Sequence, residues 1–473
     1  MSLGDRLGSS PPVALARRAL GGEDRVWIVG GAVRDAALGC EVTDLDLAVA
    51  GDPAIAAKAI AREGSAHAFE LSAEFATWRA VAADSSWQID VTALRGETIE
   101  ADLAGRDFTI GAIAVPLAGG EPLDPHGGLA DLDRRRLRTV SERSFAEDPL
   151  RLLRAARLAA GLSLDVDPDT ALLARAEAAT AADSAGERQL AELRRLVGGP
   201  DPLRGVALLD ELGLTAVLLP ELEALRGVEQ GPNHHLDVHG HTIAVLERTL
   251  EVEADLECFA GERAGEVRAL LAEPLADEVS RGTALRFGAL VHDIGKPATR
   301  AEHDGFVTFV GHDRDGVAIV GGLCKRLRAS RALTRHLQDL TLHHLRLGFL
   351  VHEAPLAPRR VHEYLRATDP VGVDVTLLTI ADRLSARGSG PFATEEAIEA
   401  HLTLARQMLA AALEWRRDGP PQPLLRGDEL AAELGLAEGP ELGELLAELE
   451  AAQYAAEVST REEALARARA LRG

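Results

Sequence analysis

Asp44 and Asp46, one residue apart in the run TDLDLAVA, are the first residues whose type and spacing point to chemistry. Side chains alternate along a strand, so the two acids share one face while Leu45, Leu47 and Val49 take the other. Two carboxylates on one strand face repel, and the pair is favourable only with a cation between them. Phosphoryl transfer uses that arrangement: carboxylates hold divalent ions that bridge a triphosphate and lower the pKa of an attacking hydroxyl. Asp90, in WQIDVTAL, sits on another predicted strand and is the candidate third carboxylate. Upstream, VWIVGGAVRD sets Gly30 and Gly31 at a strand-to-helix junction, with Arg34 and Asp35 in the following turn. Paired glycines let a backbone approach phosphate closely, and a helix N-terminus and Arg34 add positive potential. Each motif alone is common; a G-G-x-V-R-D with Asp44 nine residues beyond its last aspartate is not.

A second set of residues has metal-ligand character. His241 opens the amphipathic stretch HTIAVLERTL, and LVHDIGKP ends another helix with adjacent His292 and Asp293, stopped by Gly295 and Pro297. GHDRDG contributes His312, TLHHL contributes His343 and His344, and ADRLSARG contributes Asp382. A lone histidine is usually a surface or core residue. The order H…HD…H…HH…D, each on a predicted helix, is more specific. Mixed imidazole and carboxylate ligands suit Mn, Fe, Ni, Zn or Mg rather than Ca.

The elements that must carry these residues fall into two kinds. From about residue 23 to 140, strand-like runs (VWIVGGAV, TDLDLAVA, TWRAVAA, WQIDVTAL, TIGAIAVPL) alternate with turns and helical stretches. From about residue 145 the apolar spacing is helical to the end, as in SFAEDPLRLLRAARLAAGL with Leu150, Leu153 and Leu158 on one stripe. The fold class expected is α+β: a mixed sheet with helices, then all-α domains. GGPDPLRG near residue 200 breaks the pattern, and DGPPQP, Asp418 to Pro423, reads as a linker before a small helical unit. The domains expected are a leader helix (1–22), a head (23–140), neck helices (141–200), a connector (201–235), a metal-bearing helical domain (236–390) and a helical tail (391–473). No period of 20–50 residues marks a solenoid.

Composition narrows the class. A chain of 473 residues is too long for one ordinary domain, and 46% hydrophobic with 27% charged residues reads as globular. No apolar run approaches the roughly 20 residues of a membrane span, and the N-terminus lacks the apolar core of a secretory signal. Cys40, Cys258 and Cys324 are far apart and form no C-x-x-C pair, which argues for a reducing, cytoplasmic setting. A formal charge of −24 is awkward for a nucleic-acid partner, but basic residues cluster at Arg134, Arg135, Arg136 and Arg138, at Arg151, Arg154 and Arg157, and at Arg188, Arg194 and Arg195. Together these predict a basic groove.

With the glycine turn and paired aspartates in place, the sequence resembles the DNA polymerase β-like nucleotidyltransferases. Within them it resembles the class II CCA-adding enzymes and bacterial poly(A) polymerases. DLAGRDFTIGAIAV resembles the family's ribose-reading segment, which implies that Arg106 and Asp107 meet the sugar. LDPHGGLADL resembles the hinge between head and neck, EDPLRLLR the motif in which protein stands in for a template, and GERQLAELRRLVGG the helix that braces it. Asp148 and Arg151 are three apart, so on a helix they share one side and offer acceptor and donor groups to a base edge. A site that pairs by hydrogen bonds rejects a base that leaves buried groups unpaired. The resemblance implies Mg²⁺ on Asp44 and Asp46, and a triphosphate held by Gly30, Gly31 and Arg34. It also implies base selection by Asp148 and Arg151 beside Arg154, with Glu147 orienting Arg151. The partners implied are CTP, with ATP as a further substrate, and the acceptor end of tRNA.

The histidine-rich region resembles an HD phosphohydrolase domain. That resemblance implies four core ligands, His241, His292, Asp293 and Asp382, binding a divalent transition metal or Mg²⁺. His312 and His343 or His344 would complete a second metal, and Lys296 would neutralise a phosphate. The tail resembles the C-terminal unit of HD-bearing CCA enzymes, whose helices hold the acceptor and TΨC arms of tRNA. Two departures stand out. The family's R-R-D-F-T-x-N reads here as Gly105-Arg106-Asp107-Phe108-Thr109-Ile110-Gly111, without the first arginine and the asparagine. If Gly111 lies inside a helix it costs about 1 kcal/mol. Only six residues separate Arg95 from Asp102, where CCA-adding relatives carry a longer flexible loop associated with the switch from C to the final A. A shortened loop marks CC-adding relatives, so CC-only addition stays open. So do a hydrolase with a vestigial RNA-binding head and a poly(A) polymerase, the last disfavoured by the acidic tail. Oligomeric state is left open.

Overall fold

The structure, a computed structural model, describes residues 3–23, 25–73 and 76–472. The chain divides into two compact units that meet between Leu218 and Leu219, inside the expected connector. Residues 1 and 2 of the expected leader lie outside the described residues. Two helices follow them, Leu3–Gly8 and Pro11–Leu20. The second is no mere surface helix: it buries Val13, Leu15, Ala16 and Leu20 and packs on the helix Pro53–Glu63.

The head is a six-stranded sheet built from β1 (Val26–Val29), β2 (Asp44–Val49), β3 (His67–Ser72), β4 (Thr77–Val81), β5 (Gln88–Ala93) and β6 (Ala114–Pro116). Their order across the sheet is β3-β4-β5-β2-β1-β6. β2 and β5 run parallel and the other neighbours antiparallel. All five expected strand runs contain a strand. β3 was not expected; it is an edge strand, mostly exposed, so HAFELS has no buried face to impose an apolar alternation. The last run is strand only at Ala114–Pro116, because Thr109–Gly111 winds into a 3₁₀ turn. Alternation works as read on β2: Leu45 and Leu47 are 1% exposed, while Asp44 and Asp46 are exposed on the opposite face.

Register sets one row of residues across the sheet. Val29 pairs with Asp46, Asp46 with Asp90, and Asp90 with Arg79. The chain therefore leaves β1 at Gly30 immediately beside Asp46. The hinge is held by Asp124, whose carboxylate accepts from the amides of Gly128 (2.7 Å) and Leu129 (2.9 Å). Gly128 is obligatory there, since a Cβ would lie 2.1 Å from the Thr109 carbonyl oxygen. Beyond the hinge, helices Leu150–Leu162, Gly186–Val197 and Pro202–Glu211 pack on one another.

In the second unit, the helix Val238–Ala254 packs against Arg281–Val291 and Gly372–Ser385, and Arg331–His343 packs against His312–Arg326 and Arg281–Val291. The long helix Glu395–Asp418 ends at the Pro-rich linker, and three tail helices follow: Gly427–Leu434, Pro440–Tyr454 and Arg461–Arg472. These share their own apolar cluster around Leu425, Leu430, Leu442, Leu445 and Leu449. Among the described residues no helix is long and apolar enough to cross a membrane.

A buried ion pair ties two of the site-bearing helices together. Arg281 donates from Nε to Asp374 Oδ1 (3.1 Å), and from Nη2 to Asp374 Oδ2 and the Pro370 carbonyl (3.3 Å). Asp374 has no exposure at all. Removing one partner of a buried pair leaves an uncompensated charge, at a cost of about 3–5 kcal/mol, whereas replacing both by apolar groups is often neutral. Arg281→Met should therefore lower the second unit's calorimetric transition sharply. The double variant Arg281→Met/Asp374→Leu should recover most of that loss.

Candidate active site and metal centre

A cleft of about 760 Å³ in the first unit brings together Asp46, Arg106, Asp107, Asp148, Arg151 and Arg154, six of the residues singled out in the sequence. Gly30 borders it. Its φ of +68° favours glycine, and a Cβ there would lie 2.9 Å from Asp46 Oδ2 and 3.2 Å from Arg106 Nη1. Gly31 opens the helix Gly31–Leu38 and its amide donates to Asp46. The Asp46 side chain opens onto the cleft, but the walls of that cleft partly desolvate its carboxylate and the Asp90 charge repels it. Arg106 and the Gly31 amide do not cancel this, so its pKa is raised. Asp90 has its own counter-ion, clamped by Arg79 through Nε–Oδ1 (2.7 Å) and Nη2–Oδ2 (2.8 Å). Arg34 is engaged by Asp35 at 2.7 Å. Uncompensated negative charge at Asp46, with exposed Asp44 on the same face, is an all-oxygen donor set that fits a hard cation such as Mg²⁺.

The residues that the resemblance assigns to ribose and base are interlocked. Asp102 is 3% exposed; it accepts from Arg106 (2.9 Å) and from the Arg95 amide (3.1 Å), so it closes the short segment between them. Arg154 clamps Asp107 from Nε (2.8 Å) and Nη2 (2.7 Å). Burial pushes the Asp107 carboxyl up, but Arg154, the Phe108 amide and Arg151 outweigh it and hold it below the usual range. Arg151 donates to the Gly105 carbonyl (2.8 Å), to the Ser144 carbonyl (3.1 Å) and to Glu147 (3.4 Å).

Two expectations need correction, the helix side shared by Asp148 and Arg151 and the basic groove, and the condition left on Gly111 is resolved. Asp148 and Arg151 do not share one helix side: Asp148 sits in extended backbone (φ −149°) between helices Ser144–Glu147 and Leu150–Leu162. The physical reason is Pro149, whose ring disfavours helical geometry in the preceding residue. Asp148 pairs with Arg188 (2.8 Å) instead. Gly111 lies in a single 3₁₀ turn, not inside a helix, and its carbonyl accepts from Arg106 at 3.4 Å. The arginine clusters are largely spent internally: Arg136 and Arg138 on Asp131, and Arg154, Arg157 and Arg195 on buried Glu192.

The second unit holds two metal-ligand trios, His241–His292–Asp382 and Asp293–His312–His344, the ligand atoms of each within 4.8 Å of one another. Asp293 joins them, with Oδ2 3.2 Å from His292 Nε2 and 3.6 Å from His241 Nε2, and Oδ1 3.2 Å from His312 and 3.6 Å from His344. The imidazoles are aimed by their own helices. Nδ1 of His292, His312 and His344 faces the carbonyl three residues earlier at 2.9, 2.7 and 2.6 Å. A carbonyl only accepts, so each Nδ1 carries the proton and each Nε2 turns its lone pair inward, as metal ligation requires. Buried His292 Nε2 has no hydrogen-bond partner, which fits a metal there. Burial pushes the Asp293 carboxyl up, but the positive charge around it, Lys296 at 2.6 Å included, outweighs burial and holds it well below the usual carboxylate range.

His344, not His343, completes the second trio. Successive helix residues point about 100° apart, and His343 instead accepts from Arg346 Nε through Nδ1 (3.3 Å), burial pushing its pKa down to about 4. Lys296 is bound to Asp293 Oδ2 (2.6 Å) and donates to Gln230 (2.7 Å). His234, in NHHL, was not singled out; its ring stacks edge-on at 4.6 Å from His241, and burial pushes its pKa down to about 3. Arg79 and Asp102 were missed too. Asp102 had a signal only in its spacing, four residues before Arg106.

A mixed sheet carrying acids beside a glycine turn, followed by a helical domain with two candidate metal-ligand trios, defines a nucleotidyltransferase with an HD domain. Residues 26–138 match the Poly A polymerase head domain, residues 163–225 the probable RNA and SrmB-binding site of polymerase A, and residues 239–387 the HD domain. The chain is 36% identical over 446 residues to the A-adding tRNA nucleotidyltransferase of Deinococcus radiodurans, covering 93% of this chain and 94% of that protein. It is also 36% identical over 449 residues to the CC-adding tRNA nucleotidyltransferase of Thermus thermophilus, covering 93% and 92%. Identity to the multifunctional CCA protein of Xanthomonas campestris pv. campestris is 32% over 463 residues, covering 95% and 100%. The Thermotoga maritima CCA-adding enzyme complexed with tRNA shares the fold at TM-score 0.61 and 20% identity, covering 100% of this chain and 99% of that one. A CCA-adding enzyme complexed with CTP does so at TM-score 0.64 and 18% identity, covering 100% and 98%. This chain belongs to the class II tRNA nucleotidyltransferases, the family of CCA-adding and CC-adding enzymes, and carries an HD domain.

Gly30→Ala tests the close approach of turn and carboxylate. Alanine at a left-handed position costs about 1–2 kcal/mol, which leaves the head folded. Displacing Asp46 and Arg106 by an ångström should cut nucleotide incorporation about a hundredfold. A melting curve beside a labelled-nucleotide assay separates the two effects.

Proposed function

We propose that this chain adds CMP from CTP to the 3′ end of tRNA, building or repairing the CC of the CCA terminus. The observation that carries the reading is the single cleft in which Asp46, the ribose-facing Arg106–Asp107 pair and Asp148–Arg151 converge. Mg²⁺ held by Asp44 and Asp46 would neutralise charge on the triphosphate and lower the pKa of the attacking tRNA 3′-hydroxyl. Gly30 lets the triphosphate approach the sheet, and the helix N-terminus at Gly31 faces its negative charge. Arg106, braced by Asp102, and Asp107, braced by Arg154, meet the sugar. Asp148 and Arg151 present acceptor and donor atoms to the base. The attack of the 3′-oxygen on the α-phosphorus expels pyrophosphate.

The choice of CMP rests on the segment between Arg95 and Asp102. It is a pinned turn: Asp102 accepts from the Arg95 amide, and Thr98 caps the next helix by accepting from Ala101 (3.3 Å). A turn tied at both ends has no lever with which to reset Arg151 for ATP. The A-adding name of one relative supports the other reading, in which the same site takes ATP. The HD centre is proposed to hydrolyse phosphomonoesters or cyclic phosphodiesters, with its two trios holding Mn, Fe, Ni, Zn or Mg. Free Cys40, Cys258 and Cys324 suit a cytoplasmic setting.

Purified protein given tRNA lacking its CCA end should incorporate labelled CMP. Asp46→Ala should abolish incorporation and His292→Ala should spare it. ATP offered to the CC-ended product should give no further addition. Efficient AMP incorporation there overturns the CC-only reading, and no incorporation of either nucleotide overturns the transferase reading.

A further inference from the structure

The face of the head sheet that carries the acids extends well beyond the cleft. Residues paired directly across strands share a face. The row Val29–Asp46–Asp90–Arg79 therefore continues to Phe69 on β3, and the row beside it runs Asp44–Gln88–Val81–His67. The helix Pro53–Glu63 covers the opposite face, with Lys58 Nζ 4.7 Å from the centre of the Trp78 ring. On the open face Phe69 is 45% exposed, His67 is exposed and Val81 is half-buried. One exposed ring is ordinary on a protein surface. What sets this one apart is its row.

The geometry of displacement decides what that row meets. On the transferase reading, on which this inference rests, pyrophosphate leaves at the glycine turn, and that turn lies on the β1 side of Asp46. Displacement at phosphorus is in line, so the attacking 3′-oxygen comes from the other side, across β5 and β4. The acceptor strand then lies over Asp90 and Arg79 and runs toward Phe69, three strand spacings or about 14 Å from Asp46. Arg79 spends Nε and Nη2 on Asp90, and what lies beyond it on this face is the Phe69 ring with Val81 and His67. We propose that Phe69 is an acceptor-binding residue: the base at or next to the 3′ end of the acceptor RNA stacks on its ring. Stacking suits an end whose last base changes with each addition, because every base has a π-face and none is read by hydrogen bonds.

The test uses the full chain and a tRNA lacking its CCA end. Phe69→Ala should raise the KM for that tRNA about tenfold and leave the KM for CTP and the melting curve unchanged; Phe69→Trp should restore it. With 5-iodouridine as the last nucleotide of the tRNA, irradiation should crosslink the wild-type peptide that carries Phe69. A wild-type KM in Phe69→Ala, with the crosslink on another peptide, overturns the platform and leaves the transferase standing. Crosslinking at Phe69 without incorporation of any nucleotide keeps the platform and sinks the transferase reading. A dimer that sedimentation detects in wild type and not in Phe69→Ala, with the crosslink elsewhere, gives the edge strand to a second copy and also overturns the proposal.

Discussion

One row of charge across the head sheet governs the rest of the first unit. Arg79, Asp90 and Asp46 are register neighbours on three adjacent strands, with Val29 next in line. Neighbouring strands stand about 4.8 Å apart, so two carboxylates in this row repel strongly where water is scarce. The fold answers the problem at one end only. Arg79 satisfies both oxygens of Asp90, while Asp46 receives a backbone amide and the more distant Arg106. The raised pKa of Asp46 is the signature of negative charge left over, which a divalent cation would offset. Gly30 follows from the same register: the residue after Val29 must pass within an atom's width of the Asp46 carboxylate, which a side chain prevents.

The HD centre solves a related problem by another route. There the acid that needs cations, Asp293, is buried on the C-terminal side of a helix and ringed by four imidazoles and Lys296. Three of those imidazoles are aimed by hydrogen bonds to carbonyls three residues back, two in the last turn of a helix and one, Phe309, in the loop before a helix, so the ligand geometry is a by-product of helix ends. Because the helices carry the ligands, whatever fixes the helices fixes the site. The Arg281–Asp374 pair, far along the same helices from the ligands, therefore serves the centre without touching it.

Most of this was legible before any coordinates, for reasons that differ by element. The Asp44–Asp46 face followed from period two alone, since Leu45 and Leu47 had to be inside. The H…HD…H…HH…D order located the metal residues, yet adjacent histidines cannot be told apart by spacing, and the structure gives the place to His344. Edge strand β3 was invisible because neither of its faces is buried. Asp148 was misplaced because the i,i+3 rule assumed a helix that Pro149 interrupts. Arg79 and Arg188 escaped notice because a counter-ion contributed by another strand or helix leaves no trace in local sequence.

The departures from the family's ribose-reading motif make physical sense as a set. Where the family has an arginine, Gly105 offers its carbonyl to Arg151; where it has an asparagine, Gly111 offers its carbonyl to Arg106. Both arginines thus have a main-chain partner, which cannot change rotamer as a side chain does, beside the side chains that also hold them. Asp102 completes the arrangement by holding Arg106 and the Arg95 amide at once. On the proposed reading, arginines held by backbone carbonyls beside a short pinned turn would make a cleft organised in advance for one hydrogen-bonding pattern. Such preorganisation lowers the cost of binding the matching base. It also raises the cost of any second base, whose donors and acceptors would require those arginines to leave partners they already hold.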